Sequence, residues 1–261
     1  MKKSVRLPVV LVILAACSLA GCFDIEQSVT LNRDLSGKAG FTMTVNMEPM
    51  VLFMVNMQRG MQGKTGDPTP AEIADAKKEF LAQRKEKDDA GKFEAQKAEA
   101  VKHLPPGVEL LDARIDDQGL KMVVHMLFGF DDISKLAAIN FPDDKADGKG
   151  TGPRNPMSQP FAGLRVKDEG KTILLTGEAM DPVAKQQAET PDLTPEMKTQ
   201  MEAAFKGFRI AWKVDAPFDV VESNATRRSG RTLYWEYDLP ALEKLAREKK
   251  SPEALRVRFK K

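Results

Sequence analysis

The sequence predicts an α+β domain with a largely antiparallel sheet of hairpins, packed helices and one long charged helical segment. Short runs of alternating apolar and polar residues come in pairs that flank turn residues. Helical patterns interrupt these pairs without the regular strand–helix–strand order of a parallel sheet. About 240 of the 261 residues follow an N-terminal leader, a length that suits one domain of this class.

The first hairpin begins directly after Cys22. Apolar and polar residues alternate from Phe23 to Leu31 and again from Phe41 to Met47, as in strands with one buried face. The loop "NRDLSGK" joins the two runs, and Gly37 suits a hairpin position with positive φ. No flexible linker separates Cys22 from the first strand, so we expect the folded domain to begin there.

Helical patterns follow the first hairpin. Segment 47–61 places methionines at helical spacing and is apolar on all sides between Met50 and Val55. Residues 69–72, "TPAE", form a capping box with proline at the first helical position. They open a charged segment to about Leu104 with little apolar content, which predicts a solvated helix or a helical hairpin broken at Gly91.

The rest of the chain predicts two more hairpins, four separate strands and three further helices. The strands are predicted at 108–115, 120–130, 161–166, 172–176, 209–214, 220–225, 232–237 and 255–259. The helices are predicted from Asp131 or Asp132 to Ile139, from Thr194–Pro195 towards Phe208, and over 239–249. Residues 141–160 are rich in Gly, Pro, Asp and Lys and predict a mobile loop, and 181–192 reads as irregular or weakly helical.

The N-terminus has the pattern of a secretion signal. Three basic residues among the first six precede an uncharged apolar run from Leu7 to Phe23. This run is marginal for a spanning helix, which needs about 20 apolar residues. It ends in the small residues Ala20 and Gly21, as a cleavage site does. An uncleaved membrane anchor is the alternative.

The two cysteines agree with an exported chain. Cys17 lies inside the apolar run and would leave with the signal, so Cys22 would be the first residue of the mature chain. No intramolecular disulfide is then possible, although the destination is oxidising. A lone exported thiol is expected to be free, intermolecular or modified.

Leu19-Ala20-Gly21-Cys22 resembles the bacterial lipobox, and its position after a basic and apolar leader fits that motif. In such lipoproteins the chain is cut before the cysteine, whose thiol carries a diacylglyceryl group and whose amine carries a fatty acid such as palmitate. Two acyl chains already give stable anchoring, at about 0.8 kcal/mol per buried CH₂. The resemblance implies a signal peptide over 1–21 and a lipid-anchored domain over 22–261.

Other stretches resemble the LppM-type bacterial lipoprotein domain. They are "TLNRDLSGKAGF", "GFDDISKL", "FRIAWKVDAPFDVVESNA" and "GRTLYWEYDL". Members of that group often end in a transmembrane helix, whereas the sequence ends in "RVRFKK". The resemblance implies an antiparallel sheet with helices and supplies neither catalytic residues nor a mechanism.

The charge balance gives no reason to expect nucleic acid as a partner. The sequence has 40 Lys and Arg against 38 Asp and Glu. Loss of the three basic residues of the leader leaves 37 against 38, a net charge near −1. No large field of one sign therefore favours nucleic acid.

Phosphate-loop chemistry is disfavoured by the residues around Gly63-Lys64-Thr65. The motif needs a glycine five positions before Gly63, where Gln58 stands, and a preceding strand. We expect a surface turn there, and a flexible loop at "GKGTGP", residues 148–153.

Neither histidine belongs to a metal or catalytic motif. His125 is in phase with Val123, which would turn it towards the core, and His103 lies beside a helix end, where a cation complements the dipole. No HExxH, CxxC or GxSxG motif is present. We expect no catalytic residue, metal or cofactor, and no enzyme activity.

The methionine stripe is the most unusual feature of the sequence. Its candidate contact residues are Met47, Met50, Phe53, Met54, Met57 and Met61. The favoured interpretation is a helix packed on the sheet with methionine as an adaptable filler. A second is contact with lipid or an apolar ligand. A thioether Cu(I) site ranks last because neither His nor Cys accompanies the methionines.

The sequence therefore predicts a lipid-anchored cell-envelope protein with a structural, binding or assembly role. Its expected partners are the membrane, through the N-terminal lipid, and an envelope protein or lipid. In a host with an outer membrane that membrane is favoured, because Phe23 and not an aspartate follows the cysteine. The alternative is a carrier or sensor of a lipid or apolar ligand that uses segment 47–61. The arginines around Gly230 are expected to form a charged hairpin turn.

Overall fold

The computed structural model describes residues 22–85, 89–140, 159–178, 199, 205, 207–248 and 250–261. They form an α+β architecture of two β-sheets with helices around them. The strands are β1 (Cys22–Leu31), β2 (Gly37–Asn46), β3 (Val108–Asp117), β4 (Lys121–Phe130), β5 (Arg165–Asp168), β6 (Thr172–Thr176), β7 (Arg209–Asp215), β8 (Val220–Ser223), β9 (Arg227–Ser229), β10 (Thr232–Asp238) and β11 (Arg256–Lys260). The helices are α1 (Glu48–Met61), α2 (Pro70–Lys85), α3 (Asp89–Lys102), a 3₁₀ helix (Ile133–Ala138) and α4 (Leu239–Arg247).

The larger sheet has seven strands in the order β3-β4-β2-β1-β7-β10-β9. Neighbouring strands run antiparallel except β1 and β7, which pair in parallel. Ile25 of β1 lies opposite Met43 on one side and Ile210 on the other. The first strand of the domain is therefore an interior strand, bonded on both edges.

The smaller sheet has four antiparallel strands in the order β5-β6-β11-β8. Its third strand, β11, is inserted between β6 and β8. The register with β8 shifts between Arg258 and Phe259, a bulge that bends the strand locally. The last strand of the chain is thus held by hydrogen bonds on both edges.

The inner faces of the two sheets share one hydrophobic core. Phe161, which is fully buried, packs edge-on against Phe128 at 5.8 Å and against Trp212 at 6.3 Å between ring centroids. Gln27 is a buried polar residue in this apolar layer, and its Nε2 donates to the carbonyl oxygen of Pro160. Pairs of aromatic rings add about 0.5–1.5 kcal/mol beyond the area they bury, so these contacts clamp the smaller sheet to β4 and β7.

The helices lie around the larger sheet and on its edge. Helix α1 contacts α2, and Arg84 of α2 pairs with Asp117 at 3.2 Å in the β3–β4 hairpin. Helix α3 lies against edge strand β3, where Lys97 Nζ donates to the carbonyl oxygen of Ala113 at 3.3 Å. Covering an edge strand in this way removes a site for unwanted strand pairing. Among the helices described, none is both long and apolar enough to cross a membrane.

The structure confirms the α+β class and most predicted elements. It corrects the predicted helix break at Gly91, which lies inside α3. The third hairpin begins at Arg165 rather than at Phe161, because residues 160–163 form a turn. The short helix capped by Asp132 is a 3₁₀ helix, with the Asp132 carboxylate accepting from Ser134 N at 2.8 Å.

Several sequence predictions fall outside the described residues. They are the signal peptide over 1–21, the loop over 141–158, the segment 181–192 and most of the helix predicted from Thr194. Strand β9 and the parallel pairing of β1 with β7 were not predicted. The sequence predicted one sheet, whereas the structure has two. Hairpin patterns in a sequence do not specify which hairpins pair with each other to form a sheet.

The predicted capping box forms at the start of α2. Thr69 N donates to Glu72 Oε2 at 2.9 Å, and Glu72 N donates to Thr69 Oγ1 at 3.3 Å. Arg59 of α1 pairs with the same carboxylate at 2.5 Å. The backbone hydrogen bond from Thr69, followed by the one from Arg59, lowers the pKa of Glu72 from 4.5 to about 2.

We predict that Glu72→Gln removes a pH-dependent part of the folding free energy. The pKa of Glu72 is depressed in the folded state, so its contribution is complete above pH 4.5 and is lost as the pH falls towards about 2. Urea unfolding of both proteins between these pH values measures the effect. Glu79→Gln, on the same helix but outside the capping box, controls for loss of charge. A difference between the wild type and Glu72→Gln that does not shrink at low pH would contradict the prediction.

Candidate functional site

The predicted lipidation residue begins an interior strand. Cys22 is the first residue of β1 and lies opposite Asn46, the last residue of β2. Phe23 follows in register with Val45, is half-buried and packs against the core. The sequence prediction of a strand directly after Cys22 is confirmed, since β1 covers Cys22–Leu31.

Strand register shows what else lies at the Cys22 end of the larger sheet. Asn46 lies opposite Lys121, which places the β3–β4 turn and the start of α1 there. Asp24 lies opposite Arg209, and Arg209 opposite Asp238. Helix α4 follows Asp238 directly, so it starts at the same end.

Helix α1 divides the candidate methionine stripe into a buried and an open part. Met50 and Phe53 are only 6% and 9% exposed, whereas Met61 at the end of the helix is 65% exposed. Met47, Met54 and Met57 are half-buried. The first two turns therefore pack as core, and the end of the helix faces solvent. Contact with a membrane or an apolar ligand stays a prediction for the open end.

An open cleft of about 620 Å³ lies at the Cys22 end, beside Arg209 and Asp238. Its walls are formed by Phe205, Gly207, Phe208, Arg209, Asp238, Leu239, Pro240 and Glu243. No methionine of segment 47–61 is among these residues. The cleft and the methionine stripe are thus separate features.

One arginine gathers three carboxylates on the outer face of the larger sheet. Arg209 Nε lies 2.9 Å from Asp24, and its Nη atoms lie 2.7 Å from Glu26 and 3.3 Å from Glu236. These residues come from three adjacent strands, β1, β7 and β10. Partial burial lowers the pKa of Arg209, but the hydrogen bonds with Asp24 and Glu26 outweigh it and raise the pKa above its ordinary value.

The arginine cluster of the β9–β10 hairpin is tied to this network. Arg227 lies over the ring of Tyr234, 3.6 Å from the centroid, and pairs with Glu236 at 3.1 Å. Gly230 at the turn has a φ of +60°, a conformation that glycine adopts at little cost. The charged hairpin turn expected from the sequence is therefore present.

His125 lies on the outer face, which corrects the expectation that it faces the core. Its Nδ1 lies 3.1 Å from Thr42 Oγ1 and its Nε2 lies 3.9 Å from Asp112. The inner face of β4 carries Met122, Val124 and Met126 instead. Strand β4 has apolar residues in both phases, so alternation did not identify the buried face.

His103 lies after α3, and its Nε2 is 3.0 Å from Glu99. Within the part of the chain that the structure describes, no group of three or more His, Cys, Asp or Glu side chains is arranged to hold a metal ion. Gly63-Lys64-Thr65 forms the exposed connection between α1 and α2, where Lys64 pairs with Glu72 at 3.3 Å. Residues 148–153 lie outside the described residues.

No protein-family model and no curated protein matches the chain. Among solved structures, it is similar to the NMR structure of the folded domain of LppM from Mycobacterium tuberculosis. The TM-score is 0.39 and the sequence identity 10%, over 92% of this chain and 91% of that one. A similarity of this strength establishes neither a common fold nor a common function.

We predict that Arg209→Ala lowers the free energy of unfolding by about 1–2 kcal/mol. Hydrogen bonds between charged groups contribute about 1.5–3 kcal/mol, and exposure of the side chains reduces that value. Removing the guanidinium also leaves three neighbouring carboxylates without their shared cation. Chemical denaturation measures the change, which should shrink in high salt.

Arg114→Ala is the matched control for this substitution. Arg114 also lies on the outer face and pairs with Asp112 at 3.1 Å, but its side chain is 68% exposed. We expect its loss to cost less than about 0.5 kcal/mol. Equal effects of the two substitutions would show that the Arg209 network contributes no more than an ordinary surface pair.

Proposed function

We propose that the chain is a lipid-anchored protein of the bacterial cell envelope. In this proposal the leader is cut between Gly21 and Cys22, and Cys22 carries the lipid as the first residue of the mature chain. The observation that carries it is the position of β1, which begins at the residue that the lipobox marks as the mature N-terminus. The folded sheet and the lipidation motif meet without an intervening residue.

This arrangement would leave no spacer between lipid and domain. Because β1 is bonded to β2 and to β7 along its length, the anchor would be attached to the middle of the sheet. The Cys22 end, with the β3–β4 turn and the start of α4, would then face the membrane surface. Two or more acyl chains are enough to hold such a domain stably.

In a host with two membranes, we place the protein on the periplasmic face of the outer membrane. Support comes from Phe23, which stands where an aspartate would resemble an inner-membrane retention signal. For the domain itself we propose a structural, binding or assembly role rather than catalysis. Both sheets turn an apolar face to a shared core and a polar face to solvent, which leaves two broad surfaces for partners.

We predict that Cys22→Ala abolishes lipid attachment and membrane retention. The thiol is the only atom of the mature chain that could accept the diacylglyceryl group. The measurements are metabolic labelling with an alkyne fatty acid in cells and fractionation of membranes at high salt. Cys17→Ala is the matched control, because Cys17 would leave with the leader, and it should label and fractionate like the wild type.

Intact-mass analysis of the wild type adds an independent check. The expected species begins at residue 22 and carries the mass of the lipid. A mature chain that keeps residues before Cys22, or a Cys22→Ala protein that is still labelled and still retained in membranes, would show that the proposal is wrong.

A further inference from the structure

The solvent face of the four-stranded sheet is strongly basic. The apolar side chains of Val166, Ile173, Leu175, Val257 and Phe259 point into the core. These side chains belong to β5, β6 and β11. On β5 and β11, which flank β6, the positions that alternate with them carry cations, namely Arg165, Lys167, Arg256, Arg258 and Lys260. The central strand β6 contributes Thr172, Leu174 and Thr176 to the same face. We call this surface the basic face.

Strand pairing arranges the cations in two rows. Arg165 and Arg256 both lie opposite Thr176, and Lys167 and Arg258 both lie opposite Leu174. Since β5 and β11 flank β6, the rows are about 10 Å apart, and cations within a row repeat about every 6–7 Å. The basic face is therefore a shallow track with two threonines and Leu174 along its floor and positive charge on both sides.

Few of these cations are neutralised. With the β5–β6 turn, Lys261 and the adjoining β8 edge, the basic face has seven cations against four carboxylates, an excess of three. Three of the carboxylates form ion pairs: Glu222 with Arg256 and Arg258, Glu169 with Arg258, and Asp168 with Lys261. The fourth is Asp219, whose backbone accepts from Lys260 N. Arg165, Lys167, Lys171 and Lys260 are exposed and have no ion pair with any described residue.

Among the residues that the structure describes, the solvent face of the larger sheet has no comparable excess of cations. There Arg209 is surrounded by Asp24, Glu26 and Glu236. The nearly neutral total charge thus conceals an uneven distribution of charge between two faces of one domain. This distribution depends on strand pairing and does not follow from the composition.

The basic face extends away from Cys22. Arg256 N and Trp235 Nε1 both donate to Asn224 Oδ1, and Trp235 lies opposite Trp212, level with Gln27 in the middle of β1. At the other end of β11, Lys260 N donates to Asp219 O, beyond the end of β7. Strand β11 therefore runs from the middle of the larger sheet towards the end opposite Cys22.

We infer that the basic face binds a linear polyanion, an extended polymer with closely spaced anionic groups that lies along β6 between the two rows of cations. The choice of a polymer over the anchoring membrane rests on the proposed lipidation of Cys22, which would hold the other end of the sheet at the lipid. The face carries no aromatic side chain on its described strands, so it lacks the stacking platforms with which proteins hold single-stranded nucleic acid bases.

Inorganic polyphosphate is the probe for the test, with the purified full-length chain in non-ionic detergent and fluorescence anisotropy as readout. Arg165→Glu/Lys167→Glu should weaken binding at least about tenfold at low salt and reduce the slope of log K against log salt by about 1–2. The control Lys38→Glu/Lys121→Glu makes the same change of charge on the outer face of the larger sheet and should change the affinity less than twofold. Circular dichroism shows whether the charge reversal impairs folding. If it does, Arg165→Gln/Lys167→Gln takes its place and should give a smaller but measurable loss of affinity.

The inference is overturned if polyphosphate does not bind or if the two charge reversals weaken binding equally. A second contradicting outcome involves vesicles that contain phosphatidylglycerol. If the wild type binds them, and Arg165→Glu/Lys167→Glu abolishes this binding but leaves polyphosphate binding unchanged, the face is a membrane-binding surface and the inference is overturned. The mass of the same preparations shows separately whether Cys22 is lipidated. If the wild-type protein carries no lipid but still binds polyphosphate, the missing lipid contradicts the proposed anchor, while the binding result is unaffected.

Discussion

The pairing of β1 with two strands at once is the interaction on which the domain depends. Its hydrogen bonds to β2 are local, but its parallel bonds to β7 join residues as far apart as Thr30 and Asp215, 185 positions along the chain. Closing so long a loop costs conformational entropy before any contact compensates for it. Without β1, the seven-stranded sheet would separate into β3-β4-β2 and β7-β10-β9, and each part would have an unpaired edge.

The same strand connects the proposed anchor with the proposed binding surface. Cys22 begins β1, and the buried Gln27 in its middle bonds to Pro160, next to the segment that leads into β5. Phe161 then packs between the two sheets against Phe128 and Trp212. A lipid on Cys22 would therefore fix the orientation of the whole two-sheet domain. The basic face would be held clear of the membrane, and the acidic network around Arg209 would lie nearer to it.

Local patterns in the sequence predicted the parts of this structure that form locally. The hairpins β1–β2, β3–β4 and β5–β6 follow from alternation around turn residues, and the Thr69–Glu72 capping box follows from its residue types. The partners of β7 and β11 were not predictable, because alternation specifies a buried face but no neighbour. Cys22 was proposed as a lipidation site from its motif alone, whereas the Arg209 network and the basic face exist only after strands pair. Alternating cations in "RVKD" and "RVRFK" were the available signal for the basic face.

Amide hydrogen exchange of the purified chain, followed by mass spectrometry, tests the central position of β1 most directly. If β1 is bonded on both edges, residues 24–30 should exchange as slowly as β7 and far more slowly than the short edge strand β9. Exchange of residues 24–30 as fast as β9, while β2 and β4 remain protected, would contradict the account. It would mean that β1 is not an interior strand and that an anchor at Cys22 is not fixed to the sheet.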